Sequence, residues 1–227
     1  MNSYLESWPL FNIELRRPEV TLRPVRETDL PELAGLLPDD VEYDPAAAML
    51  EGLDLGQNRR RLSLQDYWSH WGGWRPESWH LLFAVVHGGA LVGCQSLEGD
   101  HFPVLRTVDS ASWLATAVRG LGLGKSMRAA VLALAFEHLE ATAAISSARH
   151  DNLASLGVSY SIGYRPNGVS ISDSPTGPCE LTNVRLTRQE WFGGQWCRTT
   201  EVRGLAGCEA YFGLAAFATA DQADGLS

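Results

Sequence analysis

Arg119-Gly120-Leu121-Gly122-Leu123-Gly124-Lys125 sets three glycines at two-residue spacing between two cations. Glycine accepts a positive φ and leaves room beside the backbone, so the amides of such a loop can turn toward one anion. A helical pattern begins at once behind it, adding the unpaired N–H groups of a helix N-terminus and the positive end of its dipole. The chemistry on offer is phosphate binding. Two common fingerprints do not fit it. A P-loop places a glycine five positions before its Gly-Lys-Ser, and here Arg119 stands there ahead of Gly124-Lys125-Ser126. G-x-G-x-x-G fails because Met127 follows the glycines, and Ala144-Ile145-Ser146 supplies no acidic ribose partner.

Arg119-x-x-Gly122-x-Gly124 resembles the R/Q-x-x-G-x-G/A loop of the GNAT acyltransferases. Asp151-Asn152-Leu153-Ala154-Ser155 with Gly163-Tyr164 is similar to that superfamily's D-N-x-x-S segment and closing G-Y/F. Leu22-Arg23-Pro24-Val25 with Thr28-Asp29-Leu30 resembles the start of its RimJ/RimL-like branch, and Leu181 to Leu186 its last strand. Four blocks in the right order, over roughly residues 20 to 190, carry the resemblance. It implies an α/β fold, a central, mixed, strongly twisted sheet flanked by helices. It also implies an acyl-CoA-dependent N-acyltransferase, with direct attack of a neutral amine on a thioester and no covalent enzyme intermediate. Acetyl-CoA is the default donor and succinyl-CoA the variant, with Arg59, Arg60, Arg61 or Arg106 as partners for its carboxylate. The acceptor is a small-molecule amine, a protein N-terminus or a lysine. The competing reading is a non-catalytic CoA-binding or sensing domain, which binds CoA and acylates nothing.

The resemblance assigns the cofactor to Trp113, Leu114, Arg119, Gly120, Leu121, Gly122, Leu123, Gly124, Lys125, Arg128, Asn152 and Ser155. In that assignment the amides from Arg119 to Lys125 hold the diphosphate and Arg128 meets the 3′-phosphate. Asn152 and Ser155 fix the pantetheine arm, and Asn152 also suits a helix N-cap. The N–H groups of Trp113 and Leu114 polarise the thioester carbonyl. Many relatives have a tyrosine seven residues after the asparagine to protonate the thiolate. Ser159 stands there in this chain with Tyr160 beside it, so either Ser159 relays a proton or the thiolate leaves unaided. One residue of helix phase changes direction, so Tyr160 does not automatically take that place, and Asp109, Ser159 and Tyr160 stand as the catalytic candidates. For the base, the polar Asp109 in an otherwise apolar strand is preferred over the acidic stretch 39–54 and over His80, His87, His101, His138 and His150. A Ser112-His150-Asp173 hydrolase lacks a G-x-S-x-G motif.

These residues need a frame. The chain has 227 residues, enough for one substantial core, and a net charge of −9, which argues against nucleic acid as partner. Lys125 is its only lysine and lies in the phosphate loop. Cysteines at 94, 179, 197 and 208 show no metal or bridge spacing; reduced thiols, no metal site and a cytoplasmic location are expected. No apolar run has signal or membrane-spanning length. Residues 1–18 read as an N-terminal packing arm carrying Tyr4, Leu5, Trp8, Leu10 and Phe11, 19–192 as the acyltransferase domain and 193–227 as a C-terminal extension, with Tyr211, Phe212 and Phe217 as docking aromatics. Apolar ends predict a homodimer or larger assembly.

Within the domain, strands are expected at 20–23, 80–86, 90–95, 108–114 and 141–148, with two more between 170 and 186. Helices are expected from Thr28 as N-cap, over 59–71, from Leu123 to about 139 with Arg128 outside the apolar stripe, and over 152–161. Trp68, Trp71, Trp74 and Trp79 suit either a wall of the acceptor pocket or a satellite core.

Overall fold

In the computed structural model, which describes residues 3–214, the chain starts with α1 (Ser3–Ser7), β1 (Glu14–Arg16), β2 (Thr21–Pro24), α2 (Leu30–Leu36) and α3 (Leu55–Gly72). There follow β3 (Trp79–His87), β4 (Ala90–Gly99), α4 (Phe102–Leu105), β5 (Thr107–Val108) and β6 (Ser112–Leu114). The chain continues with α5 (Leu123–Ala133), β7 (Ala143–Arg149), α6 (Leu153–Ile162), β8 (Arg165–Ser172), β9 (Cys179–Thr187), α7 (Arg188–Gly193) and β10 (Glu201–Arg203). This is the mixed α/β architecture that the sequence implies, with its strands in two sheets. One is antiparallel in the order β10-β1-β2-β3-β4-β6; the other runs β5-β7-β9-β8, with β5 and β7 parallel.

The strand expected over 108–114 is broken. Thr107 and Val108 pair with Ala143 and Ala144 of β7, whereas Ser112 to Leu114 pair with Gln95 to Gly93 of β4. Between them the Asp109 carboxylate takes the Ser110 N–H at 2.6 Å, and the Ser110 carbonyl accepts from the Ser146 hydroxyl at 3.1 Å. Side chains thus satisfy backbone groups that a continuous ladder would have used. The chain passes from one sheet to the other there, and β6 and β7 diverge.

From Ser126 onward helix α5 is buried on all sides, so its expected apolar stripe widens to include Arg128, 3% exposed. Its small residues permit that: Ala129, Ala130 and Ala133 are fully buried against their neighbours. A widened turn over Leu134–His138 ends the helix. At the entry to α2 the cap is Asp29 rather than Thr28. Its carboxylate accepts the Arg26 N–H at 2.8 Å and both Arg23 guanidinium nitrogens at 2.6 and 2.8 Å. A β-branched Thr gives way there to the residue that can serve three donors.

Helix α3 starts earlier than expected because Asp54 and Gln57 form a reciprocal capping box. It organises the acidic segment before it. Arg59, 8% exposed, donates at 2.6 Å to the carbonyls of both Pro38 and Val41, and Asn58 binds the Leu50 and Leu53 carbonyls. Arg61 reaches the Ala48 carbonyl.

Leu10, Ile13 and Leu15 of the N-terminal arm are fully buried, and β1 joins β2 to β10. Trp71, Trp74 and Trp79 stack in series at 5.7 and 6.0 Å; Trp8 and Phe212 meet Trp74 edge-on. This is the satellite-core reading of the tryptophans. Trp68 is half exposed and bonds Glu27. Tyr211 docks through its carbonyl, which accepts the Trp74 indole N–H at 2.9 Å. Phe217 and the Tyr4 side chain lie outside the described residues. No helix among the described residues is long and apolar enough to cross a membrane, and all four cysteines are free.

Candidate active site

Gly120 and Gly122 have φ of +80° and +83°, a region where a Cβ is strained. The N–H groups of Gly120 to Gly124 find no backbone acceptor among the described residues; the hydrogen bonds resume at Lys125 and Ser126, which donate to the Gly122 carbonyl. Gly124 already belongs to α5, and a Cβ there would sit 3.3 Å from Val158 Cγ2, which packs the loop against α6. Leu121 and Lys125 are exposed and Leu123 is buried. The result is an open cradle of unpaired amides on an eleven-residue helix, which fits the diphosphate of coenzyme A.

Two cations behave differently from expectation. Arg119 clamps Asp40 bidentately at 2.6 and 2.8 Å and donates to the Leu114 carbonyl at 3.0 Å. Its guanidinium holds the Asp40 carboxyl below the usual carboxylate range. Arg128 faces inward and donates to Ser146 at 3.3 Å, so it is not on the surface where a 3′-phosphate would meet it. It shares a buried polar cluster with Tyr164 and Ser110. Arg128 Nε, the Tyr164 hydroxyl and the Ser110 hydroxyl lie within electrostatic reach but outside hydrogen-bond geometry. Burial pushes the Tyr164 hydroxyl up.

The N–H groups of Asp109 and Ala115 donate to Glu98 and Val92 of β4. In an antiparallel ladder alternate residues face alternate edges, so the Trp113 N–H is directed at β4 and the Leu114 N–H at the open edge. Only Leu114 of this pair therefore presents its amide to the cleft. Asn152 caps α6, its Oδ1 accepting the Ser155 N–H at 3.0 Å. Ser159 is 2% exposed and bonds the Ser155 carbonyl within the helix, while Tyr160 is 45% exposed. They point to different surroundings, as the helix phase requires.

Across the first sheet from α5, a cavity of about 530 Å³ lies between α2, α3 and the acidic segment. Leu30, Leu33, Leu62 and Leu82 give it an apolar lining, Trp113 closes one side, and Glu42, Asp44 and Asp66 bring carboxylates. Strand register lays out its floor in rows: His80, Glu98 and Asp109 stand directly opposite one another, then Leu82, Ser96 and Ala111, then Ala84, Cys94 and Trp113. Asp109 shares this face without lining the cavity itself. Burial, with Glu98 adding like charge, raises its carboxyl to about 6 despite the Ser110 N–H and Arg128.

His80 does line the cavity; among the histidines weighed from sequence it alone does so. Burial and the neighbouring His70 lower its imidazole to about 3, so it is neutral at ordinary pH. The two rings meet at a 56° tilt with centroids 3.5 Å apart, and His70 Nδ1 bonds the Asp66 carbonyl at 2.7 Å. His70, Asp66 and Glu98 escaped the sequence reading. The i, i+4 spacing of Asp66 and His70 was the one local signal; the proximity to His80 and Glu98 is tertiary.

The profile of the acetyltransferase (GNAT) domain matches residues 19–165. Among solved structures, Mycobacterium smegmatis RimJ, in complex with CoA-disulfide, aligns with a TM-score of 0.66 at 23% identity, covering 81% of this chain and 90% of that one. Vibrio cholerae spermidine N-acetyltransferase, in complex with CoA and spermine, aligns with a TM-score of 0.61 at 13% identity over 77% and 98%. RimL, a ribosomal L7/L12 alpha-N-protein acetyltransferase in complex with coenzyme A, gives 0.58 at 15% over 75% and 94%. At these identities the structural likeness is one of fold.

Proposed function

The chain belongs to the GNAT family of acyl-CoA-dependent N-acyltransferases, and on that premise we propose that it moves an acetyl group from acetyl-CoA to a cationic primary amine by direct attack. The observation that carries the acceptor class is the cavity beside β6, apolar in its depth and bearing Glu42, Asp44 and Asp66. Such a lining attracts an ammonium group and then surrounds it with low-dielectric wall that favours its neutral form. The arginines set aside for a succinyl carboxylate speak for acetyl instead. Arg59 is spent on the Pro38 and Val41 carbonyls, Arg61 on Ala48, and Arg106 on Leu139 and Glu140; Arg60 is exposed and outside the cavity lining. A polyamine and a protein N-terminus both meet this description, and the named activities of the spermidine N-acetyltransferase and of RimL support one each.

Coenzyme A supplies the activated thioester. In this reading the amides of Gly120 to Gly124 hold its diphosphate, with the dipole of α5 behind them. Lys125, exposed at the loop's end, adds a mobile cation, and Asn152 offers its amide nitrogen to the pantetheine arm while its oxygen caps α6. The Leu114 N–H stabilises the charge that develops on the carbonyl oxygen. Asp109, ionised above about pH 6, is the proton acceptor. Ser159 is committed to a helix carbonyl and Tyr160 faces outward, so the thiolate leaves without a side-chain acid from α6.

The first experiment is native mass spectrometry with acetyl-, succinyl- and free CoA, followed by thiol-release assays with spermidine and a short peptide bearing a free N-terminus. Preferential acetyl-CoA binding with release by either acceptor supports the proposal. Binding with no release returns the sensing-domain alternative, and no binding removes the cofactor assignment. We place the enzyme in the cytoplasm as a homodimer or larger assembly; sedimentation as a monomer at micromolar concentration would remove the second statement.

A further inference from the structure

A second cleft of about 270 Å³ lies on the far side of His80 and Ser69 from the acceptor cavity; both residues line both spaces. Glu98 lines only the second cleft and Ser96 only the first, yet the Ser96 hydroxyl donates to Glu98 Oε1 at 2.8 Å. The same hydroxyl accepts the Ala111 N–H at 3.0 Å, which fixes its oxygen in place. Glu98 stands directly opposite Asp109 on one side and His80 on the other, with His80 Nδ1 3.6 Å from Glu98 Oε1. His80 Nε2 is buried with no hydrogen-bond partner among the described residues. A side-chain hydrogen bond therefore links the two spaces through their common wall.

We propose that Ser96 and Glu98 carry the acceptor's proton from the acceptor cavity to Asp109 and out into the second cleft, with His80 as the partition between the two spaces. This rests on the acyl-transfer reading. As the amine nitrogen bonds to the acyl carbon, its proton passes to Ser96 Oγ while the Ser96 hydroxyl proton passes to Glu98. Glu98 and Asp109 share that proton, and water in the second cleft removes it, which returns both carboxylates. No oxidant or reductant is needed. The route explains how Asp109, which does not line the cavity, communicates with it. Two adjacent carboxylates also hold one shared proton more readily than either holds its own, in keeping with the raised Asp109. The other groups facing this row are His80 from β3, His70 and Asp66 from α3, Arg128 from α5 and Tyr164 after α6.

Glu98→Gln keeps the size of the side chain and an acceptor oxygen for Ser96 while removing the proton site. The expected result is a fall in kcat of about tenfold or more, an unchanged acetyl-CoA Kd, and an acidic limb of the pH–rate profile moved to lower pH because Asp109 loses its like-charged neighbour. Formate should restore turnover to Glu98→Gly through the open second cleft, which a merely structural role would not allow. Ser96→Ala should lower kcat without moving the limb, and it serves as the test if Glu98→Gln folds poorly. Wild-type kcat and pH profile in both variants would overturn the route while leaving acyl transfer standing. A wild-type protein that binds acetyl-CoA and acylates neither spermidine nor the peptide would overturn acyl transfer and the route with it.

Discussion

Asp109, as the proposed base, would trade stability for chemistry. Its carboxyl is raised to about 6 in the fold, above the ordinary 3.8, so the native state disfavours the charge that a base requires. The resulting cost is absent below the unfolded pKa, grows as pH rises from about 4 to 6, and is complete above that. Asp109→Asn should therefore raise stability near pH 7 by about 3 kcal/mol, read by urea unfolding, while turnover falls and acetyl-CoA affinity persists. In the unaltered protein kcat/KM should climb with pH through about 6; a flat profile between pH 5 and 7 would dismiss Asp109 as the base. Asp29 has the opposite sign. Burial alone would raise it, but Arg23 and the Arg26 N–H more than offset that and hold it low. Its contribution is present above about pH 4 and is lost as pH falls through its depressed native value.

At the scale of elements, the phosphate loop and the acidic segment make separate demands. Gly122→Ala forces a side chain into φ of +83° and should cost about 1–2 kcal/mol locally. Gly124→Glu adds a like charge at the proposed phosphate site and presses on Val158. Both should abolish CoA binding in calorimetry with far-UV circular dichroism unchanged; full affinity in either would remove the loop assignment. The segment before α3 has little periodicity of its own and depends on Asn58, Arg59 and Arg61 for its shape. Arg59→Ala leaves the Pro38 and Val41 carbonyls without that donor, so limited proteolysis should cut within 38–54 faster, and acceptor KM should rise more than kcat falls.

Over the whole molecule, the segments around Trp8 and Phe212 meet in one aromatic core. Phe212 is fully buried against Trp74 and Trp79, and β10 completes the sheet beside β1. Phe212→Ala should cost about 3–5 kcal/mol in urea unfolding, with CoA affinity retained at temperatures where the variant stays folded. A loss under about 1 kcal/mol would mean that the C-terminal segment is only draped on the domain. The larger consequence is architectural. The antiparallel sheet carries α5 and the glycine loop on one face and the cavity on the other, so in the proposed reaction the two substrates meet at the parting of β6 from β7.

The local features were already determined by the amino-acid sequence. Glycines at 120 and 122 require positive φ, Asn152 with Ser155 caps a helix, apolar runs at 80–86 and 90–95 pair across Gly88-Gly89, and the order of these blocks carries the family. Each depends on neighbours a few residues away, which a chain states in its spacing. The proposed base and the proposed acceptor cavity were not legible in the same way. Asp109 stood out only as a polar residue in an apolar strand, and His70 and Glu98 not at all, because their significance comes from cross-strand register and a helix laid over it. Arg128 reads as a surface cation until α5 is buried from every side. Spacing specifies how a segment folds, but desolvation and charge proximity belong to residues brought together from distant segments, and only the packed structure decides those.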